Sequence, residues 1–284
     1  MTKVFFEYTQ DELDAQYNPR QNTDFSSFGE RWSKDSAAIR NSSSAALDVP
    51  YGASSDELLD VFLVGGQNRP VHIFFHGGYW RALHKNDFSF IAPAFRPSDT
   101  ICVVVNYSLC PAVTISDIVA QCEAATAFIW NNASDFRADR NRITISGHSA
   151  GGQIATMLLS TEWSRYGCPP DIIKRAVSIS GLYDLEPLRL SFLNDALGLT
   201  PNIARALSPL YNLPHTATPL LIALGGAESI EFHRQSNVYV QALAACRHQF
   251  EHCVAGNHNH FSIVDTAFDA ASHLGAKLHS WVRM

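Results

Sequence analysis

The sequence lacks clustered positive charge and long apolar runs. Its 284 residues carry 21 Lys and Arg against 27 Asp and Glu, a formal net charge of −6, and the basic residues form no run. Nucleic acids and anionic membrane surfaces are bound by clustered basic side chains, so we expect neither as a partner. No apolar segment approaches the about 20 residues that span a bilayer, and the first residues lack the apolar stretch of a signal peptide. These absences predict a soluble cytoplasmic protein.

The sequence also lacks paired cysteines. None of its six cysteines forms a Cys-x-x-Cys motif or stands at a spacing typical of metal ligands. Several fall within apolar strand or helix patterns, which predicts buried free thiols in a reducing compartment. We therefore expect no metal and no cofactor. The six are Cys102, Cys110, Cys122, Cys168, Cys246 and Cys253.

The composition is that of a globular chain, with 46% hydrophobic and 17% charged residues. Nothing after residue 50 resembles a repeat, a low-complexity tract or a linker, so residues 1–284 are predicted to form a single domain. About the first 50 residues are polar and rich in Ser and Asn, but they contain aromatic side chains, which disordered tails lack. We expect them to form an arm that packs on the body, with Leu13 in a short helix.

Beyond the arm, short apolar runs alternate with helical patterns. The runs are rich in β-branched residues and mostly continuous rather than alternating, as in a sheet that is covered on both faces. Predicted strands lie at 58–64, 71–75, 101–105, 143–145, 176–179, 220–224 and 250–254, and predicted helices near 113–131, 149–162, 231–247 and 261–282. This order predicts an α/β fold with a mostly parallel sheet, helices on both faces and no large separate cap domain. In such sheets reactive groups gather at the carboxyl ends of the strands.

One of those strand ends carries the most informative motif, Gly147-His148-Ser149-Ala150-Gly151, between the strand at 143–145 and the helix at 149–162. A serine on a sharp strand-to-helix turn needs small neighbours, and the turn exposes its hydroxyl to substrate. The strand–turn–helix context predicts that Ser149 is a nucleophile. The alternative, a glycine-rich turn with an ordinary serine, is less consistent with that context.

A serine nucleophile requires a base and an acid that orients the base, and in this architecture they follow in the order Ser, acid, His. Glu228, just after the strand at 220–224, is the favoured acid, and Asp184, after the strand at 176–179, is the alternative. Either carboxylate could instead cap or begin a helix. For the base, the loop before the last helix offers His260 and, as the alternative, His258. The two histidines could also suggest a metal, but no carboxylate or cysteine cluster joins them.

Acyl transfer also needs N–H donors for the oxyanion. The strand at 71–75 ends in His-Gly-Gly-Tyr-Trp, residues 76–80, where glycines let backbone N–H groups turn inward. We expect Gly77, Gly78 and Ala150 to supply these donors. His76 is expected to brace the loop.

Six segments, which extend over most of the chain, are informative when taken together: residues 76–80, 106–111, 147–152, 180–188, 231–236 and 259–261. Together they resemble the kynurenine formamidase (arylformamidase) group within the α/β-hydrolase fold. The resemblance implies Glu228 as the acid and His260 as the base, in agreement with the choice made from the residues. The sequence departs from the family in having Glu rather than the usual Asp at position 228. It also departs at Ser108 and Cys110, which are expected beside the pocket.

The resemblance implies an N-formyl aromatic amine such as N-formylkynurenine as substrate, and so a role in tryptophan catabolism. Tyr79 and Trp80, next to the oxyanion loop, are the expected substrate contacts, although Trp80 could equally serve to rigidify the loop. The predicted enzyme is a serine hydrolase that cleaves a small acyl group from an aromatic amide or ester through an acyl-serine intermediate. The alternatives are a short-chain carboxylesterase with the same residues and a catalytically silent binding protein. A homodimer is left open.

Overall fold

The computed structural model describes residues 2–21 and 23–283, and its centre is an eight-stranded sheet in the order β1-β2-β4-β3-β5-β6-β7-β8. Strand β2 runs antiparallel to both of its neighbours, and the pairs from β4 through β8 are parallel. The strands are β1 Ala45–Pro50, β2 Leu58–Phe62, β3 Arg69–Phe75, β4 Ile101–Val105, β5 Ala138–His148, β6 Ile173–Ile179, β7 Leu220–Gly225 and β8 Phe250–Ala255.

Helices cover both faces of this sheet. They are α1 Gln10–Gln16, α2 Phe25–Ser42, α3 Ile115–Asn131, α4 Ala150–Met157, α5 Glu186–Arg189, α6 Asn194–Leu197, α7 Pro201–Ala206, α8 Ile230–Ala245, α9 Ser262–Phe268 and α10 His273–Val282. Because successive strand side chains point to opposite faces, β3 places Ile73 in one buried cluster and Phe74 in the other. Helices α3, α4 and α8 contribute to the first cluster, and α2, α9 and α10 to the second. The predicted mostly parallel, doubly covered sheet is confirmed.

The structure differs from the sequence prediction at three places. Strand β1 and the long helix α2 lie inside the polar arm, where no strand and only a short helix were expected. The helical pattern at 261–282 is two helices, because Ser272 accepts the N–H of Gly275 and so caps a new helix start. The pattern at 149–162 ends its α-helix at Met157 and continues as a short 3₁₀ turn.

The arm lies on the body through buried aromatic anchors. The Trp32 indole N–H donates to Asp265 Oδ1 at 2.7 Å, and the same carboxylate binds Arg31 at 2.6 Å. The Tyr17 hydroxyl donates to Glu231 Oε2 at 2.9 Å in a fully buried contact. Leu13 lies in the short helix α1, as predicted, and its side chain is completely buried. The arm therefore covers the carboxyl ends of the strands.

All six cysteines are free, and Cys102, Cys110, Cys122 and Cys168 are buried. The predicted burial is wrong for Cys246, which is exposed at the end of α8, and incomplete for Cys253 on the edge strand β8. Within residues 2–21 and 23–283, the structure has no helix of the length and apolarity needed to cross a membrane.

Candidate active site

Ser149 lies on the turn between β5 and α4. Its backbone has φ 57° and ψ −117°, a conformation that residues other than glycine rarely adopt. Its N–H donates to Ile179 O at 2.8 Å, which fixes the turn against β6. The two motif glycines are required by close packing, because a Cβ at Gly147 would lie 1.9 Å from Gly151 O and one at Gly151 would lie 2.0 Å from Phe75 O. The local sequence thus forces Ser149 out of the end of the sheet.

Glu228 and His260 are brought together from the loops after β7 and β8. Glu228 Oε2 accepts the Nδ1–H of His260 at 2.6 Å, and the carboxylate is 1% exposed. Its other oxygen, Oε1, accepts the Ser180 hydroxyl at 2.5 Å and the Gly225 N–H at 2.8 Å. The buried carboxylate is therefore fully hydrogen-bonded and holds one tautomer of the His260 ring.

The alternative acid and base lie elsewhere. Asp184 Oδ1 accepts the Glu186 N–H at 3.2 Å, and its Oδ2 faces the Arg234 guanidinium at 3.4 Å. The His258 ring contacts the Thr266 hydroxyl, with Nδ1 at 3.1 Å. Neither side chain joins the pair formed by Glu228 and His260.

Ser149 and His260 both line one cavity of about 420 Å³. The base loop is held there by a residue that the sequence reasoning did not single out, His148. Its Nε2–H donates to the backbone carbonyl of His260 at 2.8 Å, and the two rings lie 4.7 Å apart between centroids. Burial, and secondarily the nearby His260, hold the pKa of His148 well below its usual range. His148 is therefore a neutral brace, and its only sequence signal was its place directly before the serine.

The loop that carries the predicted oxyanion donors follows β3 and lies against Ser149. A Cβ on Gly77 would lie 3.1 Å from Ser149 Cβ, and Gly78, with φ 108°, lines the cavity. Ala150 opens α4, so its N–H is among those that have no acceptor within the helix. The structure thus places Gly77 and Ala150 beside Ser149, and Gly78 in the wall of the same cavity.

His76 supports this loop from behind. Its Nδ1–H donates to Gly77 O at 2.7 Å, its carbonyl accepts the Tyr107 hydroxyl at 2.6 Å, and its ring stacks on Tyr107 at 4.2 Å. Burial lowers the pKa of His76 to about 4. A neutral, stacked ring of this kind positions the loop, as expected for this residue.

Of the two expected substrate contacts, Tyr79 lines the cavity, and its hydroxyl donates to Tyr17 O at 2.8 Å. Trp80 does not line it. Its side chain is fully buried, and the indole N–H donates to Gln153 Oε1 at 3.2 Å, so it packs beneath the loop instead. Ser108 and Cys110 were expected beside the pocket, and this expectation is wrong, because neither lines the cavity. The Ser108 N–H donates to Gln121 Oε1 at 2.8 Å, and the Cys110 N–H donates to Trp80 O at 2.8 Å.

The roof of the cavity comes from the arm, which the sequence did not reveal. Six of its residues line the cavity, and they include three of its aromatic side chains: Tyr17, Asn18, Pro19, Arg20, Phe25 and Trp32. The remaining walls include Phe192 and Phe261. The site therefore combines the Ser149 hydroxyl with a largely aromatic enclosure. Among the described residues, no group of three or more His, Cys, Asp or Glu side chains is arranged to hold a metal.

Comparisons with known proteins agree with this geometry. Residues 59–243 match the family model described as BD-FAE. The chain is 30% identical over 281 residues to kynurenine formamidase of Danio rerio, with 92% of each chain covered. It is also 30% identical to kynurenine formamidase of Salmo salar, with 93% of each covered. A thioesterase candidate from Silicibacter sp. TM1040 superposes with a TM-score of 0.81 at 29% identity, covering 93% of this chain and 98% of that one. The predicted α/β-hydrolase fold and the hydrolase class are confirmed.

Proposed function

The chain belongs to the kynurenine formamidase family of α/β-hydrolase enzymes, and from this premise we propose that it is an arylformamidase acting on N-formylkynurenine or a close analogue in tryptophan catabolism. One observation carries the proposal. Ser149, on its strained turn, opens into the same aromatic cavity as His260, whose Nδ1–H is held by the buried Glu228. A hydroxyl, a base and an orienting acid in this relation are the parts that acyl transfer needs.

The proposed reaction proceeds in two halves. The hydroxyl of Ser149 attacks the formyl carbon while His260 Nε2 takes its proton, and the resulting oxyanion is bound by N–H groups of Gly77, Gly78 and Ala150. The C–N bond then breaks, and the leaving aromatic amine receives the proton from His260. Water, deprotonated by His260, attacks the formyl-serine ester in the second half. Formate leaves, and Ser149 regains its proton.

The cavity supports an aromatic leaving group. Phe25, Trp32, Phe192 and Phe261 present apolar ring surface around Ser149 and His260. Tyr79 directly follows the oxyanion glycines, and its hydroxyl is tied to Tyr17 O, so its ring is a fixed wall rather than a movable one. A fixed wall next to the oxyanion site favours a small acyl group, since each unwanted methylene costs roughly 1–3 kcal/mol once packed side chains must move.

The test is a comparison of kcat/KM for N-formylkynurenine and for p-nitrophenyl esters from acetate to octanoate, with Ser149→Ala as the inactive control. We expect efficient deformylation and, among the esters, a maximum at acetate. A maximum at acetate without deformylation would replace the proposal by a short-chain carboxylesterase. A maximum at hexanoate or longer, again without deformylation, would indicate a medium-chain esterase.

A further inference from the structure

The charged side chains that line the cavity over Ser149 are positive, whereas the net charge of the whole chain is negative. The protein carries a net charge of −6. Yet the described residues that line this cavity include two arginines, Arg20 and Arg81, and no aspartate or glutamate. Glu228 is shielded behind His260, 1% exposed and bonded on both oxygens. The substrate cavity is therefore locally cationic.

Both guanidinium groups are held by aromatic rings rather than by carboxylates. Arg20 Cζ lies 4.5 Å from the centroid of the Phe25 ring, and Arg81 Cζ lies 5.6 Å from that of Phe192. Both rings also line the cavity. Within residues 2–21 and 23–283, neither arginine takes part in an ion pair. Stacking on a ring leaves the in-plane N–H groups of a guanidinium free for an anion.

Two acidic side chains, Asp11 and Asp14, line a neighbouring depression that shares Asn18 and Phe192 with the cavity, and neither of them lines the cavity itself. Asp14 Oδ1 accepts the N–H of Phe192 at 2.8 Å and the side-chain amide of Gln10 at 3.0 Å. Arg20 and Arg81 are both exposed where they line the cavity, and neither pairs with these carboxylates, so a substrate that covers them would strengthen their attraction to an anion.

We infer that Arg20 and Arg81 form an anion subsite that binds a carboxylate on the leaving-group side of the substrate. A planar guanidinium presents paired N–H donors that match the two oxygens of a carboxylate. Phe25 and Phe192 provide ring surface beside the same anion. An aromatic amine or phenol that bears a carboxylate would therefore pack on these rings and pair with the arginines. The inference rests on the proposed function for its direction, because Ser149 defines where the scissile bond lies.

The subsite also gives the arm a role in specificity. Arg20 belongs to the arm, and Arg81 belongs to the loop after β3 that carries the oxyanion glycines. The arm is fixed to that loop by the hydrogen bond from Tyr79 to Tyr17 O. One half of the subsite is therefore delivered by a segment that is remote in sequence from the reacting residues.

The experiment compares substrates that differ only in charge. The first pair is N-formylkynurenine and its α-carboxamide, and the second pair is an aryl acetate with a carboxylate side chain on the phenol and the matching carboxamide. Each is assayed with the unaltered protein, Arg20→Met, Arg81→Met and the double variant. Arg205→Met is the matched control, since Arg205 stacks on Tyr211 at 4.0 Å away from the cavity.

We expect each single variant to lower kcat/KM for the carboxylate substrates about tenfold, mostly through KM, and to change the carboxamides less than about twofold. Arg205→Met should leave both pairs unchanged. The preference of the unaltered protein for the carboxylate should also shrink as salt is raised, because charges at an open mouth are screened. The melting temperature of each variant shows whether it is still folded. Arg20→Lys and Arg81→Lys keep the positive charge and should retain part of the preference for the carboxylate.

The outcomes separate this inference from the proposed function. If deformylation fails but the ester pair keeps a carboxylate preference that the arginine variants lose, the subsite stands and the formamidase proposal falls. If N-formylkynurenine is deformylated but its carboxamide reacts equally well, or the variants weaken both members of a pair alike, the anion subsite is wrong.

Discussion

Replacing Glu228 by Gln tests the orientation of the base most directly. The side chain keeps its size, but its two ends become unlike. The position of Oε1 is faced by the Gly225 N–H, which can only donate, and by the Ser180 hydroxyl. The amide oxygen must therefore stay at that position, and the NH₂ group must turn toward His260 Nδ1.

This orientation places the wrong tautomer at the nucleophile. An NH₂ group opposite Nδ1 needs that nitrogen as an acceptor, so the imidazole proton moves to Nε2. A protonated Nε2 cannot take the proton of the Ser149 hydroxyl. The known cost of such a tautomer change is about 10⁴-fold in kcat, or about 5.5 kcal/mol of transition-state stabilisation. Steady-state kinetics with p-nitrophenyl acetate measures it, and KM should change little.

Two further variants bracket the expectation. Glu228→Asp keeps the charge but is one methylene shorter, and we expect an intermediate loss of about 10²-fold, the scale of a misplaced catalytic group. Asp184→Asn should leave kcat unchanged and lower the melting temperature, because Asp184 faces Arg234 and the α5 backbone. A fully active Glu228→Gln enzyme, or a folded but inactive Asp184→Asn enzyme, would refute this assignment of the acid.

Three other predictions follow from the same structure. Ser149→Ala should abolish labelling by a serine-reactive phosphonate and lower kcat by several orders of magnitude, because nucleophile, base and acid act as a unit; labelling of another serine in the unaltered protein would contradict it. Activity should survive extended dialysis against a chelator, and a loss restored only by added zinc or manganese would show that a metal takes part. Burial lowers the pKa of His72 to about 3 and that of His76 to about 4. The unfolded chain therefore binds protons that the folded chain excludes, so stability should be intact above about pH 6.5 and fall as pH drops toward 4, by up to about 1.4 kcal/mol per pH unit for each histidine. Urea unfolding at several pH values measures this slope, and an unchanged slope in His72→Gln would contradict the contribution of His72.

The turn at Ser149 was predictable because the residues that determine its geometry are adjacent in the sequence. Gly147 and Gly151 each approach a backbone carbonyl so closely that a Cβ would not fit, and the strand and helix on either side are strongly patterned. Local sequence therefore determines local structure here. The strands of the sheet were recognised for the same reason, since β4 and β7 are buried throughout and β5 and β6 are buried over their carboxyl-terminal halves.

The roof of the cavity could not be predicted in this way. Helix α2 buries only a narrow stripe that includes Trp32 and Ser36, so its pattern resembles a polar segment. Its attachment depends on single long-range contacts such as that from Trp32 to Asp265, which no local pattern shows. The same applies to Trp80, whose side-chain direction follows from the positive φ of 55° at its own backbone. A residue next to a functional loop in sequence can point away from the site.

The contact between Glu228 and His260 was predictable only in part. Glu228 and His260 are 32 residues apart, but they follow neighbouring strands whose carboxyl ends meet at one edge of the sheet. The structure adds why the two loops keep a fixed distance: the Ala227 N–H donates to His258 O at 3.0 Å, and a Cβ on Gly226 would lie 1.8 Å from Gly256 O. The loops therefore pack backbone against backbone. Within that contact one carboxylate oxygen of Glu228 accepts the N–H of Gly225, and the other accepts the Nδ1–H of His260. These two contacts accommodate the longer Glu at a position where the resemblance implies Asp.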